Sequence, residues 1–233
     1  MEIQIGVAKI NKYASSESGD TLEVVERPGG GVSIVLADGQ RSGKSAKRIS
    51  NMVVRKVISL LAEGVRDGAA ARAASDYLYA ERGGRVLSTL NILSVDLQSK
   101  TVVITRNNPA PVFFAHNQEI NILDEKSQEV GIYANTRPVV FEYNLEDNIC
   151  VVAFSDGMVH AGGRKAESLN VETLLTKHLS NKLSSREIAD DLLERALALD
   201  DGRPIDDISI AVLQVLPKSG DQVRRMSVRI PVG

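Results

Sequence analysis

Three aspartate motifs stand at the ends of apolar runs: Leu36-Ala37-Asp38-Gly39, Ala153-Phe154-Ser155-Asp156-Gly157 and Pro204-Ile205-Asp206-Asp207-Ile208-Ser209. A carboxylate at a strand end is carried on rigid backbone yet still faces a cleft, which is the placement a metal ligand requires. A glycine directly after it lets the chain turn sharply and lets a carbonyl or ligand approach closely. Asp-Gly is also an ordinary turn dipeptide, so each motif alone reads as a turn as readily as a site. As a set they suggest one shared centre. Carboxylates brought to ~4 Å repel by about 4 kcal/mol per unit-charge pair at an effective dielectric near ~20, and divalent cations would cancel that charge. Two cations roughly 3.5–4 Å apart can also acidify water and clamp a phosphoryl oxygen, which suits phosphoester hydrolysis without a phosphoenzyme.

The elements that must position these residues are legible from period and punctuation. β-branched or alternating runs at Gly31–Ala37, Val86–Asp96, Thr101–Arg106, Val112–Ala115, Val139–Tyr143, Ile149–Phe154 and Ile208–Leu216 predict strands. Asp96 and Thr101 are close enough in sequence for a hairpin, and Gly29-Gly30-Gly31 reads as a hairpin turn. Apolar residues at Ile49, Val53, Val57, Ile58 and Leu61 predict a helix over Ser42–Glu63, stopped by Gly64. Further helices are expected over Asp67–Tyr79, Val171–Leu179 and Ile188–Leu199, the last opened by the capping sequence Ser184-Ser185-Arg186-Glu187. Helical pairs interrupting strand-rich blocks favour a sheet-on-sheet α/β core with helices outside over a doubly wound parallel sheet. One catalytic domain over 1–217 is expected, followed at 218–233 by a basic strand or tail in which Arg224, Arg225 and Arg229 alternate with apolar residues.

Composition narrows the class further. A net charge of −2 favours neither nucleic acid nor an acidic membrane as partner. Cys150 is the only cysteine, in an apolar run, so a disulfide framework or cysteine metal site is excluded and a buried, inert thiol is expected. The start Met1-Glu2-Ile3-Gln4-Ile5 lacks the character of a secretory signal and no segment approaches a membrane span, giving the expectation of a cytoplasmic protein. His116, His160 and His178 are dispersed, which favours core or surface positions over metal binding for each.

The ordered set Ser18-Gly19-Asp20, Ala37 through Ala46 (with Asp38-Gly39-Gln40-Arg41), Phe154-Ser155-Asp156-Gly157 and Asp206-Asp207-Ile208-Ser209 resembles the PPM-type, or protein phosphatase 2C, family. It is most similar to the bacterial SpoIIE-like branch that includes the stressosome phosphatase RsbX. Asn107-Asn108-Pro109-Ala110-Pro111 is similar to a loop preceding a strand in that branch. The resemblance implies a four-layer αββα sandwich of two mainly antiparallel sheets between helix pairs. It implies a metal-dependent serine/threonine phosphatase working through a metal-activated water. Asp38 would bridge two ions, manganese or magnesium, with Asp156 and Asp206 on one side and Asp20 and the Gly39 carbonyl on the other. All are hard oxygen donors. Asp207 is the alternative to Asp206. The implied substrates are phosphorylated STAS-domain proteins of a bacterial stress-signalling complex, with an anti-sigma factor antagonist as the alternative. Animal members carry a histidine after this Asp-Gly as proton donor, where this chain has Gln40. Arg41, glycine in many relatives, is a candidate phosphate ligand through its guanidinium, although a solvated arginine at a helix start explains it as well.

Two other readings stay open. Gly39-Gln40-Arg41-Ser42-Gly43-Lys44-Ser45 follows a strand, opens a helix and ends like a nucleotide-binding P-loop, but has three residues between its glycines where that loop needs four. A partner-binding module of the same fold without turnover is the other, and the intact aspartate set speaks against it.

Overall fold

The computed structural model describes residues 1–218 and 220–231. In chain order it contains β1 (Glu2–Ile10), β2 (Asp20–Glu26), β3 (Gly31–Gly39), α1 (Gly43–Ala62), α2 (Asp67–Arg82), β4 (Ser88–Asp96), β5 (Thr101–Asn107), β6 (Val112–His116), β7 (Glu119–Leu123), β8 (Val139–Asn144), β9 (Ile149–Phe154), α3 (Asp156–His160), α4 (Val171–Ser180), α5 (Ser185–Leu199) and β10 (Ile208–Leu216). Two five-stranded sheets form, ordered β1-β10-β9-β6-β7 and β2-β3-β4-β5-β8. Every strand pairing is antiparallel.

Three apolar layers separate four structural ones, as expected for an αββα sandwich. Between the sheets pack Ile34, Leu93, Ile104, Phe114, Val151 and Leu213 with their neighbours. Outside the second sheet, α1 and α2 bury Val53, Val57, Leu61, Ala74 and Leu78 against Val35, Leu90 and Ile92. Outside the first, α4 and α5 bury Leu175, Ile188 and Leu192 against Val152, Ile210 and Val212. Strands β4, β9 and β10 are covered on both faces, which is why they read as continuous apolar runs.

Local chemistry sets the ends of the elements. The Ser184 hydroxyl accepts from the Glu187 amide while the Glu187 carboxylate accepts from the Ser184 amide, the capping box the sequence predicts. Helix α2 runs to Arg82, beyond the expected stop at Tyr79, and ends where Gly83 takes a left-handed conformation. Strands β1, β2 and β7 were not anticipated, and Asp20 opens β2 instead of lying in a loop. The described tail residues 220–231 form no strand, while Ser219, Val232 and Gly233 of that segment lie outside the described residues. No helix among the described residues is long and apolar enough to cross a membrane.

A buried ion pair ties the second helical layer to its sheet. Arg27 Nη1 donates to Asp67 Oδ2 at 2.9 Å, the Ser94 hydroxyl donates to Asp67 Oδ1, and Arg27 also donates to the Val65 carbonyl. Removing one member of such a pair strands the other charge away from water. Arg27→Ala is therefore expected to destabilise the protein by about 3–5 kcal/mol, with the double variant Arg27→Met/Asp67→Leu much milder. Denaturant titrations of the two variants check this.

Candidate metal centre

Asp20 and Asp38 are direct partners across the β2–β3 pairing, which places their side chains on the same face of the sheet end. Lys9 and Lys47 both donate to the Asp20 carbonyl at 2.6 Å, and Lys47 also donates to the Thr21 hydroxyl, fixing the start of β2. On the next strand the Ser88 hydroxyl donates to the Asp38 carbonyl at 2.6 Å, and the Asp38 amide donates to Thr89 Oγ1. Gly39 must lack a side chain, because a Cβ there would sit 2.0 Å from the Ala46 carbonyl oxygen of α1.

The opposite sheet brings its acids to the same end. The Ser155 and Ser209 backbones pair at 3.0 Å, and the Ser209 amide donates to the Ser155 hydroxyl at 3.0 Å, joining the end of β9 to the start of β10. A Cβ on Gly157 would lie 2.1 Å from the Asp207 carbonyl oxygen, so this glycine is what lets the Asp156 and Asp206 turns close on each other. One ligand atom from each of Asp156, His160 and Asp206 lies within 4.8 Å of the others.

Neighbouring acids do different work. Asp207 accepts from the Lys12 amide at 2.8 Å and the Gly19 amide at 2.7 Å, so both its oxygens pin the loop leading to Asp20. Asp200 likewise accepts from the Gly162 and Ile205 amides, holding the turn before Asp206. Both oxygens of Asp20, which is fully buried, and Oδ1 of Asp156 have no hydrogen-bond partner among the described residues. Buried carboxylate oxygens left unpartnered are costly and mark a place for a cation.

The electrostatics agree with that geometry. Burial first, and then the neighbouring Asp20 and Asp156 charges, push Asp38 up to about 10. Burial pushes Asp20 up to about 6, against the downward pull of the nearby Ser209 and Ser155 hydroxyls. Burial followed by the neighbouring Asp156 charge raises Asp206. The acids act on one another in sequence, Asp20 and Asp156 on Asp38 and Asp156 on Asp206, while Lys9 pulls Asp20 and Lys12 pulls Asp206 the other way.

Asp38 and Asp156 edge a cleft of about 380 Å³ lined also by Gln40, Leu87, Asn108, Pro111 and His160, among others. One wall is the Asn107–Pro111 loop. Fully buried Arg106 donates to the Asn108 and Ala110 carbonyls, and the Asn108 side-chain Nδ2 donates to the Phe154 carbonyl at 3.2 Å. Arg41 is exposed, with a left-handed φ of 77°, and is not among the cleft-lining residues. Cys150 is buried, and burial pushes its thiol up to about 12, leaving it inert as expected. His178 is buried and paired with Asp191 at 2.7 Å, and His116 lies near Glu146 at the sheet edge. His160 is exposed, the surface position expected of it, and lies one helical turn after Asp156 with Nδ1 4.0 Å from Asp156 Oδ2.

Two antiparallel sheets between helical layers, with acids at their shared end, define the protein phosphatase 2C fold. A model of the family described as Stage II sporulation protein E (SpoIIE) matches residues 28–216, and the chain belongs to that family. It is 22% identical over 215 residues to the Stage II sporulation protein E of Priestia megaterium, covering 91% of this chain and 36% of that protein. The chain thus spans about a third of that relative's length. The structure is similar to the PP2C phosphatase domain with a fragment of the regulatory domain of SpoIIE from Bacillus subtilis, at TM-score 0.78 and 20% identity, covering 92% of this chain and 64% of that one. It is also similar to RsbX in complex with magnesium, at TM-score 0.71 and 17% identity, covering 91% and 94%. Bacterial serine/threonine phosphatases share the fold.

The raised carboxyls carry a consequence for stability. The folded chain holds protons on Asp20 and Asp38 that an unfolded chain, with carboxyls near ~4, releases. Metal-free stability contributed by these groups is therefore present at low pH and lost as pH rises, through about 6 for Asp20 and toward about 10 for Asp38. In EDTA at neutral pH, Asp38→Asn is expected to unfold less readily than the parent by on the order of 1–3 kcal/mol, with the gain vanishing toward pH 4. With manganese the order is expected to reverse if Asp38 is a ligand, because the parent then gains more from the ion than the variant does. Calorimetric melts in both buffers check the pair of signs, and an Asp38→Asn protein that melts lower in EDTA contradicts them.

Proposed function

We propose that this chain is a divalent-metal-dependent phosphatase that hydrolyses phosphoserine and phosphothreonine on a partner protein. The observation that carries the reading is the meeting of buried, unpartnered carboxylate oxygens at the edge of an open cleft. Asp20, Asp38, Asp156 and Asp206, with the Gly39 carbonyl, would hold the cations, while Asp207 is committed to backbone amides. Their all-oxygen character suits manganese or magnesium, in keeping with the magnesium complex of RsbX. Two such ions, when bound, supply Lewis-acid activation of water and of the phosphoryl group.

The chain's own residues do the rest. Leu87, Pro109, Pro111 and Val159 form apolar walls beside the acids, which exclude bulk water from a bound phosphoester. Gln40 lines the same cleft and offers an amide donor to a phosphoryl oxygen, but it cannot deliver a proton to the departing serine oxygen as a histidine would. Arg41 stands just outside, where its fork can reach the phosphate or a flanking acidic side chain of the partner. Hydrolysis forms a bond from water oxygen to phosphorus, breaks the bond to the side-chain oxygen, and releases inorganic phosphate and the free hydroxyl.

The substrate we favour is a phosphorylated STAS-domain protein of a bacterial stress-signalling assembly, on the strength of the likeness to RsbX and of the motif order. An anti-sigma factor antagonist is the second reading. Manganese-dependent release of phosphate from an aryl phosphate and from phosphorylated STAS-domain proteins is expected, falling to background with Asp38→Asn. Turnover that survives exhaustive chelation would contradict the metal mechanism. Tight partner binding without phosphate release would assign the fold to a docking module instead.

A further inference from the structure

We propose that His160 supplies a nitrogen ligand to the cation held by Asp156 and Asp206, and that this ring biases the site toward manganese over magnesium. The inference rests on the reading of those aspartates as metal ligands and adds to it a donor of a different chemical kind.

The four-residue spacing from Asp156 to His160 on α3 puts both side chains on one helical face, the same geometry that lets paired ligands on other metal-binding helices share an ion. His160 Nδ1 lies 4.0 Å from Asp156 Oδ2. With Asp206 the three side chains offer ligand atoms all within 4.8 Å of one another, close to what one ion spans with donors ~2.0–2.2 Å away on each side. The His160 side chain is 54% exposed and lines the cleft, so its ring can turn without disturbing the core. The other histidines face acids outside this centre: His178 faces Asp191 and His116 faces Glu146. The buried Oδ1 of Asp156, without a hydrogen-bond partner among the described residues, independently points to a cation at this place.

Donor type decides the metal bias. Magnesium takes oxygen donors and gives up water reluctantly, so an imidazole adds little to its binding. Manganese is the weakest of the first-row divalent ions toward nitrogen donors, yet as a softer ion that sheds water more readily it accepts an imidazole where magnesium does not. A carboxylate-only centre would distinguish the two ions less.

Pulsed electron paramagnetic resonance on the manganese-loaded protein tests this directly, together with calorimetric titration of each ion. Modulation from an imidazole nitrogen is expected in the parent and absent in His160→Gln, with manganese still bound. That variant is expected to lose manganese affinity by about tenfold or more, the scale on which even outer-shell partners act, and to change magnesium affinity by less than about twofold. His160→Glu, which returns an oxygen donor, should keep manganese bound without nitrogen modulation. Manganese bound to the parent with no nitrogen signal, or an equal loss for both ions in His160→Gln, overturns the role of His160 and leaves the aspartate centre standing. A parent protein that binds no manganese overturns both.

Discussion

Acids of like charge cannot be held close together at one end of a protein unless the scaffold forces them there and bound protons or a counter-charge relieve them. That constraint organises this molecule. Asp20 and Asp38 come from one sheet, Asp156 and Asp206 from the other, and the two sheets meet at the end where these residues lie. Their approach is enforced by backbone: the Ser155–Ser209 ladder, the Gly157 contact with Asp207, and the Gly39 contact with α1. None of these devices neutralises the acids. The apolar layers supply the stability that opposes their repulsion, and protons kept on Asp20 and Asp38 relieve part of it.

The separation of roles among neighbouring carboxylates follows from what each oxygen meets. Asp206 and Asp207 are adjacent, yet Asp207 is consumed by the Lys12 and Gly19 amides while Asp206 faces Asp156. Asp200 and Asp67 are buried acids as well, satisfied by backbone amides in one case and by Arg27 and Ser94 in the other. Burial alone does not identify a ligand. An acid whose oxygens stay unpartnered beside other acids is the candidate.

Much of this was legible in the letters. Strands covered on both faces announce themselves as continuous β-branched runs, and α1 shows its helical period, because burial leaves a compositional trace there. Strands β1, β2 and β7 are only partly buried and carry charged or polar residues, so they lack that trace. The place of Asp20 was nevertheless encoded. Once Gly29–Gly31 is taken as a hairpin turn, pairing Glu26 with Val32 and counting outward sets Asp20 opposite Asp38. The convergence of the two sheets is a tertiary fact that no local pattern records. Motif order supplied it by family resemblance, and the fold bears out the two-sheet architecture.

The account turns on whether these acids hold ions. Anomalous diffraction at the manganese edge, from crystals grown with manganese chloride, measures that without reference to any substrate. The account predicts strong peaks bounded by the carboxylates of Asp38, Asp156 and Asp206, with a further one toward Asp20 and Gly39. A well-ordered centre with no anomalous density at saturating manganese would contradict it.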